Sequence, residues 1–316
     1  MKVVSLFAGI GGFDLGFVQA GHQIVWANDI WKDASETYKF NFGNHIICQD
    51  IKEIDTKEIP DCDIIIGGFP CQGFSHANQK RNEQDERNAL YLEFVRVLKD
   101  KQPPFFIAEN VKGILSLGKG SIFQMILKDF TDIGYDIQHT LVNAANYGVP
   151  QSRERVLIFG TRKDIKLKID FPPKTTHQKL NGVPIPTDKT QWIGVGQALQ
   201  NIPEPEEEHS LKNHEASKYK LRFNGYIGHR TINPDMPCPT ITARGDEKGG
   251  VVVHHHPNNH RRISAREAAI IQSFPIDFDF YGAKTSIYRQ VANAVPPKLA
   301  YCVAKLFPIN HDEYTS

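Results

Sequence analysis

The sequence predicts an α/β fold, a doubly wound parallel sheet with helices on both faces, accompanied by a smaller second lobe. Three observations predict it. Strand and helix signals alternate over the first 160 residues, a glycine-rich turn follows the first strand, and from about residue 169 the texture turns proline-rich and then basic. Repeated β-α-β units set parallel strands side by side and return their helices across both faces. Ligands of such sheets bind beyond the carboxyl ends of the strands.

Residues 3–7 are a β-branched and aromatic run ending in the glycine turn, and residues 14–20 read as a helix closed by Gly21. A second strand and helix follow at 24–27 and 32–40, then short strands at 46–48 and 63–66. Leu90, Phe94, Val95 and Leu98 recur at helical spacing over 90–99. A strand at 105–108, a helix at 121–133 stopped by Gly134, and strands at 137–142 and 156–159 close the series. Near the C-terminus a helical pattern returns at 268–271, and the last residues read as a loop and a helix over 297–306.

With 37 Lys and Arg against 36 Asp and Glu, the net charge of +1 excludes a histone-like polycation. The average hides a local excess: residues 218–266 hold nine Lys or Arg against three Asp or Glu. Five cysteines (48, 62, 71, 238 and 302) are odd in number and widely spaced, which argues against a disulfide framework or zinc ribbon and for a reducing compartment. No apolar run reaches the ~18–20 residues of a membrane helix, so a cytoplasmic, membrane-free and monomeric protein is expected.

Four segments carry chemistry. Phe7-Ala8-Gly9-Ile10-Gly11-Gly12 lies between a strand and a helix, where glycines let a cofactor approach the backbone. Such a turn suits a dinucleotide or S-adenosylmethionine, or is simply tight. Asp29 and Asp50 end the next two strands, as acids do that accept ribose or base groups, although either also reads as a solvated cap. Cys71 follows Pro70 in a loop at the ligand edge, a reachable position for a thiolate nucleophile. Glu109 ends a strand at the same edge, where a low-dielectric pocket would let it donate a hydrogen bond; a surface Glu is the plainer reading. In Gln151-Ser152-Arg153-Glu154-Arg155, residues 151, 153 and 155 share one face if extended. Two arginines there can grip an anion or a carbonyl, or form a solvated charge run.

Together and in this order, these segments resemble the cytosine-C5 DNA methyltransferase family of bacterial restriction-modification systems. The resemblance continues with Arg262-Ile263-Ser264-Ala265-Arg266-Glu267, Gln272-Ser273-Phe274-Pro275 and Gln290-Val291-Ala292-Asn293-Ala294-Val295-Pro296-Pro297. It implies a Rossmann-like S-adenosylmethionine-dependent catalytic domain (1–178 with 288–316) and a smaller target-recognition domain (179–287). It implies Cys71 as nucleophile on C6 of cytosine, Glu109 at the N3 edge, and Arg155, with Arg153 beside it, at O2. The cofactor, leaving as S-adenosylhomocysteine, would meet Phe7, Ala8, Gly9, Ile10, Gly11, Gly12, Asp29, Ile30, Asp50, Ile51, Pro70, Leu90, Asn293 and Ala294. Duplex DNA would meet Gln72, Ser75 and Arg87 in a mobile loop, and Arg230, Thr240 and Arg244 in the basic region. No metal is expected, and the run His254-His255-His256 reads as a DNA-facing or solvated loop. Glu267 and Arg262 are expected as structural supports. A restriction endonuclease is implied as a genetic partner.

The chain departs from the family pattern at Ser5 (often Asp), Asp29 (commonly Glu), Ile30 (often aromatic), Asn88 and Ala292 (both usually Gly). Three other readings compete. A transfer-RNA cytosine methyltransferase would keep the same catalytic motifs. A dehydrogenase would need a third glycine, where the chain has Asp14. A non-catalytic DNA-binding module has no use for Cys71, Glu109 and Arg155.

Overall fold

The computed structural model describes residues 1–70, 89–180, 186–216, 231–243, 254–258 and 261–309. The chain runs through β1 (Lys2–Leu6), α1 (Gly12–Gln19), β2 (Gln23–Asp29), α2 (Lys32–Phe42), β3 (Ile46–Cys48), β4 (Ile64–Gly67), α3 (Ala89–Lys101), β5 (Phe105–Val111), α4 (Ser121–Asp132) and β6 (Tyr135–Asn143). It continues through β7 (Gln151–Ser152), β8 (Glu154–Arg162), β9 (His177–Gln178), β10 (Thr190–Gln191), α5 (Val195–Leu199), β11 (Cys238–Pro239), α6 (Ala265–Ile271), α7 (Lys284–Asn293) and α8 (Pro297–Ala304).

The sheet order is β3-β2-β1-β4-β5-β8-β6. Strands β1 to β5 are parallel, as expected. The wholly parallel expectation fails at one place: β8 runs antiparallel to both β5 and β6. Only residues 144–153 separate β6 from β8, too few for the crossover that a parallel pair needs.

Successive residues of the central strands enter opposite cores, which is why they read as continuous apolar runs. Val3, Ile64, Ile66, Phe105, Ile107, Leu157 and Phe159 pack with Phe13 and Phe17 of α1 and Leu299 and Val303 of α8. Val4, Ile65, Phe106, Ala108, Val156 and Ile158 pack with Phe94 and Val97 of α3 and Ile126 and Phe130 of α4. A third core gathers Val195, Leu199, Ile232, Ile241, Ile263, Ile271 and Phe274 with Ile10 and Ala34. The expected boundary at 287/288 falls inside α7, a helix not foreseen. Ile287, Tyr288 and Val291 of α7 belong to the third core, whereas Gln290 and Asn293 face the ligand cavity.

Beneath the glycine turn, Asp14 is fully buried. Its Oδ2 accepts from Ser5 Oγ at 2.9 Å and its Oδ1 from Tyr38 Oη at 2.8 Å, and that hydroxyl also meets His45 Nε2 at 3.0 Å. Burial pushes the carboxyl up to about 6 from 3.8, against the pull of these two donors. The folded state therefore holds this proton more tightly than the unfolded chain. Its stabilising contribution is greatest below pH 4 and is lost as pH rises to about 6. An Asp14→Asn variant should gain stability relative to the parent by about 1 kcal/mol between pH 5 and pH 8. Urea midpoints at the two pH values measure the gap, and a gap independent of pH would contradict the assignment.

Helix α6 begins with a capping box: Ser264 Oγ accepts from Glu267 N, and Glu267 Oε2 accepts from Ser264 N. Glu267 also receives a bidentate pair from Arg261 at 2.8 Å. Glu267 thus braces the start of α6, with Arg261 as its partner. The histidine run is not solvated: His254 and His255 are buried, and His255 bridges Thr231 and Arg262. Among the described residues no helix is long and apolar enough to cross a membrane, and no group of three or more His, Cys, Asp or Glu could hold a metal ion.

Candidate active site

β1 and β4 are neighbours whose onward connections leave in opposite directions, so a crevice opens at their carboxyl ends. A cavity of about 830 Å³ occupies it, within the range of small-molecule sites. Its walls come from strand ends: Phe7 to Ile10 after β1, Asp29 to Trp31 after β2, Gln49 to Lys52 after β3, and Gly67 to Pro70 after β4. Leu90, Glu109, Asn293 and Ala294, each singled out from the sequence, also line it.

The glycine turn divides its labour. Gly9 takes the left-handed φ of +56° with open space where a β-carbon would project, so ligand can approach its backbone. Gly11 and Gly12 do not line the cavity, contrary to expectation. A β-carbon on Gly12 would lie 2.2 Å from the Val295 carbonyl oxygen, so this glycine seats the C-terminal segment against α1. Phe7 also adopts a positive φ of 54°, an uncommon conformation for a side-chain-bearing residue and one that recurs at ligand sites.

Asp29 is half-buried. Its Oδ2 accepts from Gly9 N and its Oδ1 from Trp31 N, each at 2.8 Å. A carboxylate has about four lone-pair sites, so acceptor capacity remains. Burial raises its carboxyl above the usual range, opposed by these amides. Asp50 caps the single 3-10 turn that follows it by accepting from Lys52 N at 3.1 Å. Ile51 is buried, and Ile30 is 67% exposed at the cavity. Trp31, one residue after the position where the family often has an aromatic, also lines the cavity. The Arg289 guanidinium lies 5.1 Å from its ring centroid.

At the other end sits a buried ion pair. In the antiparallel β5–β8 ladder Glu109 faces Leu157 and Val111 faces Arg155, so Glu109 and Arg155 are diagonal neighbours on one face. Arg155 Nε donates to Glu109 Oε1 at 2.8 Å, with both side chains 11% exposed. Arg155 Nη1 donates to the Glu154 carbonyl at 2.6 Å. A β-carbon on Gly68 would come within 3.2 Å of Glu109 Oε2, so the glycine leaves that oxygen room.

A model of the C-5 cytosine-specific DNA methylase family matches residues 1–307. The chain belongs to that family. It is 40% identical to the Type II methyltransferase M.NgoFVII of Neisseria gonorrhoeae, over 99% of this chain and 88% of the relative. It is 38% identical to the Type II methyltransferase M.FnuDI of Fusobacterium nucleatum, over 96% of this chain and 93% of the relative. Among solved structures, a DNA modification methyltransferase from an E. coli prophage superposes with a TM-score of 0.76. It is 26% identical and covers 97% of this chain and 98% of its own. The S. pombe Dnmt2 methyltransferase shares the fold at a TM-score of 0.71 and 20% identity, over 97% and 98% of the two chains.

In this family member, Cys71, Gln72, Ser75, Arg87, Arg230 and Arg244 lie outside the described residues. Pro70, the residue before Cys71, lines the cavity. Thr240 donates its hydroxyl to the Ser152 carbonyl at 2.8 Å. Arg153 shares the buried face of Arg155 and lies within range of its charge and that of Glu109, but its guanidinium turns to backbone carbonyls of other segments. Sequence reasoning gave no role to Asn110, the middle residue of Glu-Asn-Val. Buried, it donates Nδ2 to the Phe69 carbonyl at 3.0 Å and so ties the end of β5 to the loop that carries Pro70. An Asn110→Ala variant should lose about 10²-fold in turnover by releasing that loop. Steady-state kinetics on folded protein check it, and an unchanged kcat would count against it.

Proposed function

We propose that this enzyme is a DNA (cytosine-5-)-methyltransferase. It transfers a methyl group from S-adenosylmethionine to C5 of a cytosine flipped out of a short duplex site. The observation that carries the reading is the meeting, at one sheet edge, of a nucleoside-sized cavity, Pro70 and the buried Glu109–Arg155 pair. Its membership of the C-5 cytosine-specific methylase family gives that meeting its chemistry.

The cavity residues fit the cofactor. Phe7, Ile51 and Leu90 offer apolar walls for an adenine, Asp29 has lone pairs for ribose hydroxyls, and Asp50 has one for an exocyclic amine. The open backbone at Gly9 and the polar Asn293 suit the amino-acid tail. When bound, S-adenosylmethionine supplies an electrophilic methyl group.

The chain's own residues do the rest. The Cys71 thiolate adds to C6, and the electron pair released into the ring makes C5 nucleophilic while charge grows at N3 and O2. Glu109, once it carries a proton, gives it to N3 and takes it back when the ring is restored, while Arg155 donates to O2; preorganised donors in a buried site act most strongly there. After methylation, loss of the C5 proton returns electrons to the ring and expels Cys71 as thiolate. Since C6 and C5 are shielded within a stacked duplex, the base must leave it.

We read 1–178 with 288–316 as the catalytic region and 179–287 as the target-recognition region, with Arg230, Thr240, Arg244, Gln72, Ser75 and Arg87 as contacts to DNA. Likeness to Type II methyltransferases supports a protective role in a restriction-modification system, beside a cognate endonuclease in the cytoplasm. Bisulfite sequencing of plasmid DNA treated with enzyme and S-adenosylmethionine is the test. It should reveal 5-methylcytosine within one short sequence; methylation of transfer RNA alone, or none, would reject the reading.

A further inference from the structure

Arg153 is among the largest fully buried side chains of the protein, at 2% exposure. Among the described residues, no carboxylate lies at hydrogen-bond distance to neutralise it. Instead its fork reaches three backbone carbonyls: Nη1 donates to Ile241 O at 3.3 Å, and Nη2 donates to Ala292 O at 2.8 Å and Ala294 O at 3.1 Å. Its Nε is buried without a partner among the described residues. Ala292 and Ala294 flank Asn293, which lines the cavity. They also end α7, where unsatisfied carbonyls carry partial negative charge that favours a cation.

The surrounding contacts converge on the same junction. Gln151 accepts from Ile241 N at 3.3 Å and donates to Gln272 Oε1 at 2.5 Å, and Gln272 donates to Ala294 O at 2.7 Å. Strand β11, just before Thr240, pairs with β7, just before Arg153. Two residues beyond Arg153, Arg155 holds Glu109.

We propose that Arg153 is a positioning residue and not a contact to the cytosine. It sets the Asn293 turn for the cofactor and the Thr240–Ile241 segment for DNA, and it fixes both against the strand that carries Arg155. Only a planar fork reaches all three carbonyls at once; a lysine ammonium cannot match that geometry. The inference rests on the function proposed above.

The test compares steady-state constants of Arg153→Gln, Arg153→Lys and Gln272→Ala, with S-adenosylhomocysteine binding by calorimetry and melting temperature as controls. Arg153→Gln should raise KM for both S-adenosylmethionine and duplex DNA by about tenfold and leave kcat within about threefold. Arg153→Lys should recover part of the loss. A hundredfold fall in kcat with both KM values unchanged would make Arg153 a contact to the base and overturn the proposal. Lower thermal stability with unchanged constants would make it purely structural and overturn the proposal equally. If Arg153→Gln fails to fold, Gln272→Ala removes the second donor to Ala294 O and should raise the cofactor KM alone; an unchanged value overturns the proposal. A wild type that binds S-adenosylhomocysteine yet methylates no DNA would count against the proposed function, whereas the calorimetric comparison of variants still judges the Asn293 arm.

Discussion

Replacing Glu109 with glutamine is expected to lower methyl transfer by about 10²–10³-fold, equivalent to roughly 3–4 kcal/mol of transition-state stabilisation. Affinity for S-adenosylhomocysteine should stay within about threefold. Glutamine keeps the length and the acceptor oxygen that Arg155 Nε holds at 2.8 Å, so the β5–β8 junction survives. What it lacks is a transferable proton for N3 at the moment the ring becomes electron-rich. Alanine would be a poorer probe. It would leave the Arg155 guanidinium, 9% exposed, without even the acceptor oxygen that glutamine retains, and an unpaired buried charge costs about 3–5 kcal/mol in fold stability. Lost activity would then mix chemistry with unfolding. Single-turnover rates on duplex DNA beside calorimetric cofactor binding separate the two, and near-parental turnover of Glu109→Gln would remove Glu109 from the mechanism.

The sheet is legible in the sequence because its strands are buried on both faces and so read as unbroken β-branched and aromatic runs, Ile64 to Ile66 being the plainest. Strand direction is not, because no residue within β8 encodes it; the short 144–153 connection is the available signal. Helix α7 escapes notice because polar Gln290, Arg289 and Asn293 interrupt its apolar face, and those residues face a cavity that only the fold creates. The buried histidines and Arg153 share one cause. Their partners come from distant segments, Ala292 lying 139 residues from Arg153, and a charged or titratable triplet in isolation reads as solvated. The face shared by residues 151, 153 and 155 matches expectation: Gln151, Arg153 and Arg155 are all buried while Ser152 and Glu154 are half-exposed. Periodicity gives the side a residue takes, and only the fold gives what it meets there.

The largest effect of all is expected at Cys71. Cys71→Ala should abolish methylation, because no other nucleophile stands in the Gly67-Gly68-Phe69-Pro70-Cys71-Gln72 segment and the uncatalysed C5 of cytosine is a poor nucleophile. The remaining cysteines offer no substitute. Burial pushes the Cys238 thiol well up and the Cys62 thiol to about 12, which suppresses the thiolate that would attack. Neither residue lines the cavity, nor does Cys48 or Cys302. Duplex DNA carrying 5-fluorocytosine distinguishes loss of the nucleophile from loss of the fold. With fluorine at C5 there is no proton to remove after methylation, so the thioether at C6 cannot be expelled and the parent enzyme should remain covalently attached through denaturing electrophoresis. The alanine variant should form no such adduct while still binding S-adenosylhomocysteine and retarding DNA. An adduct formed by Cys71→Ala would assign the nucleophile to another residue, and a parent enzyme that methylates DNA yet forms no adduct would rule out covalent attack at C6.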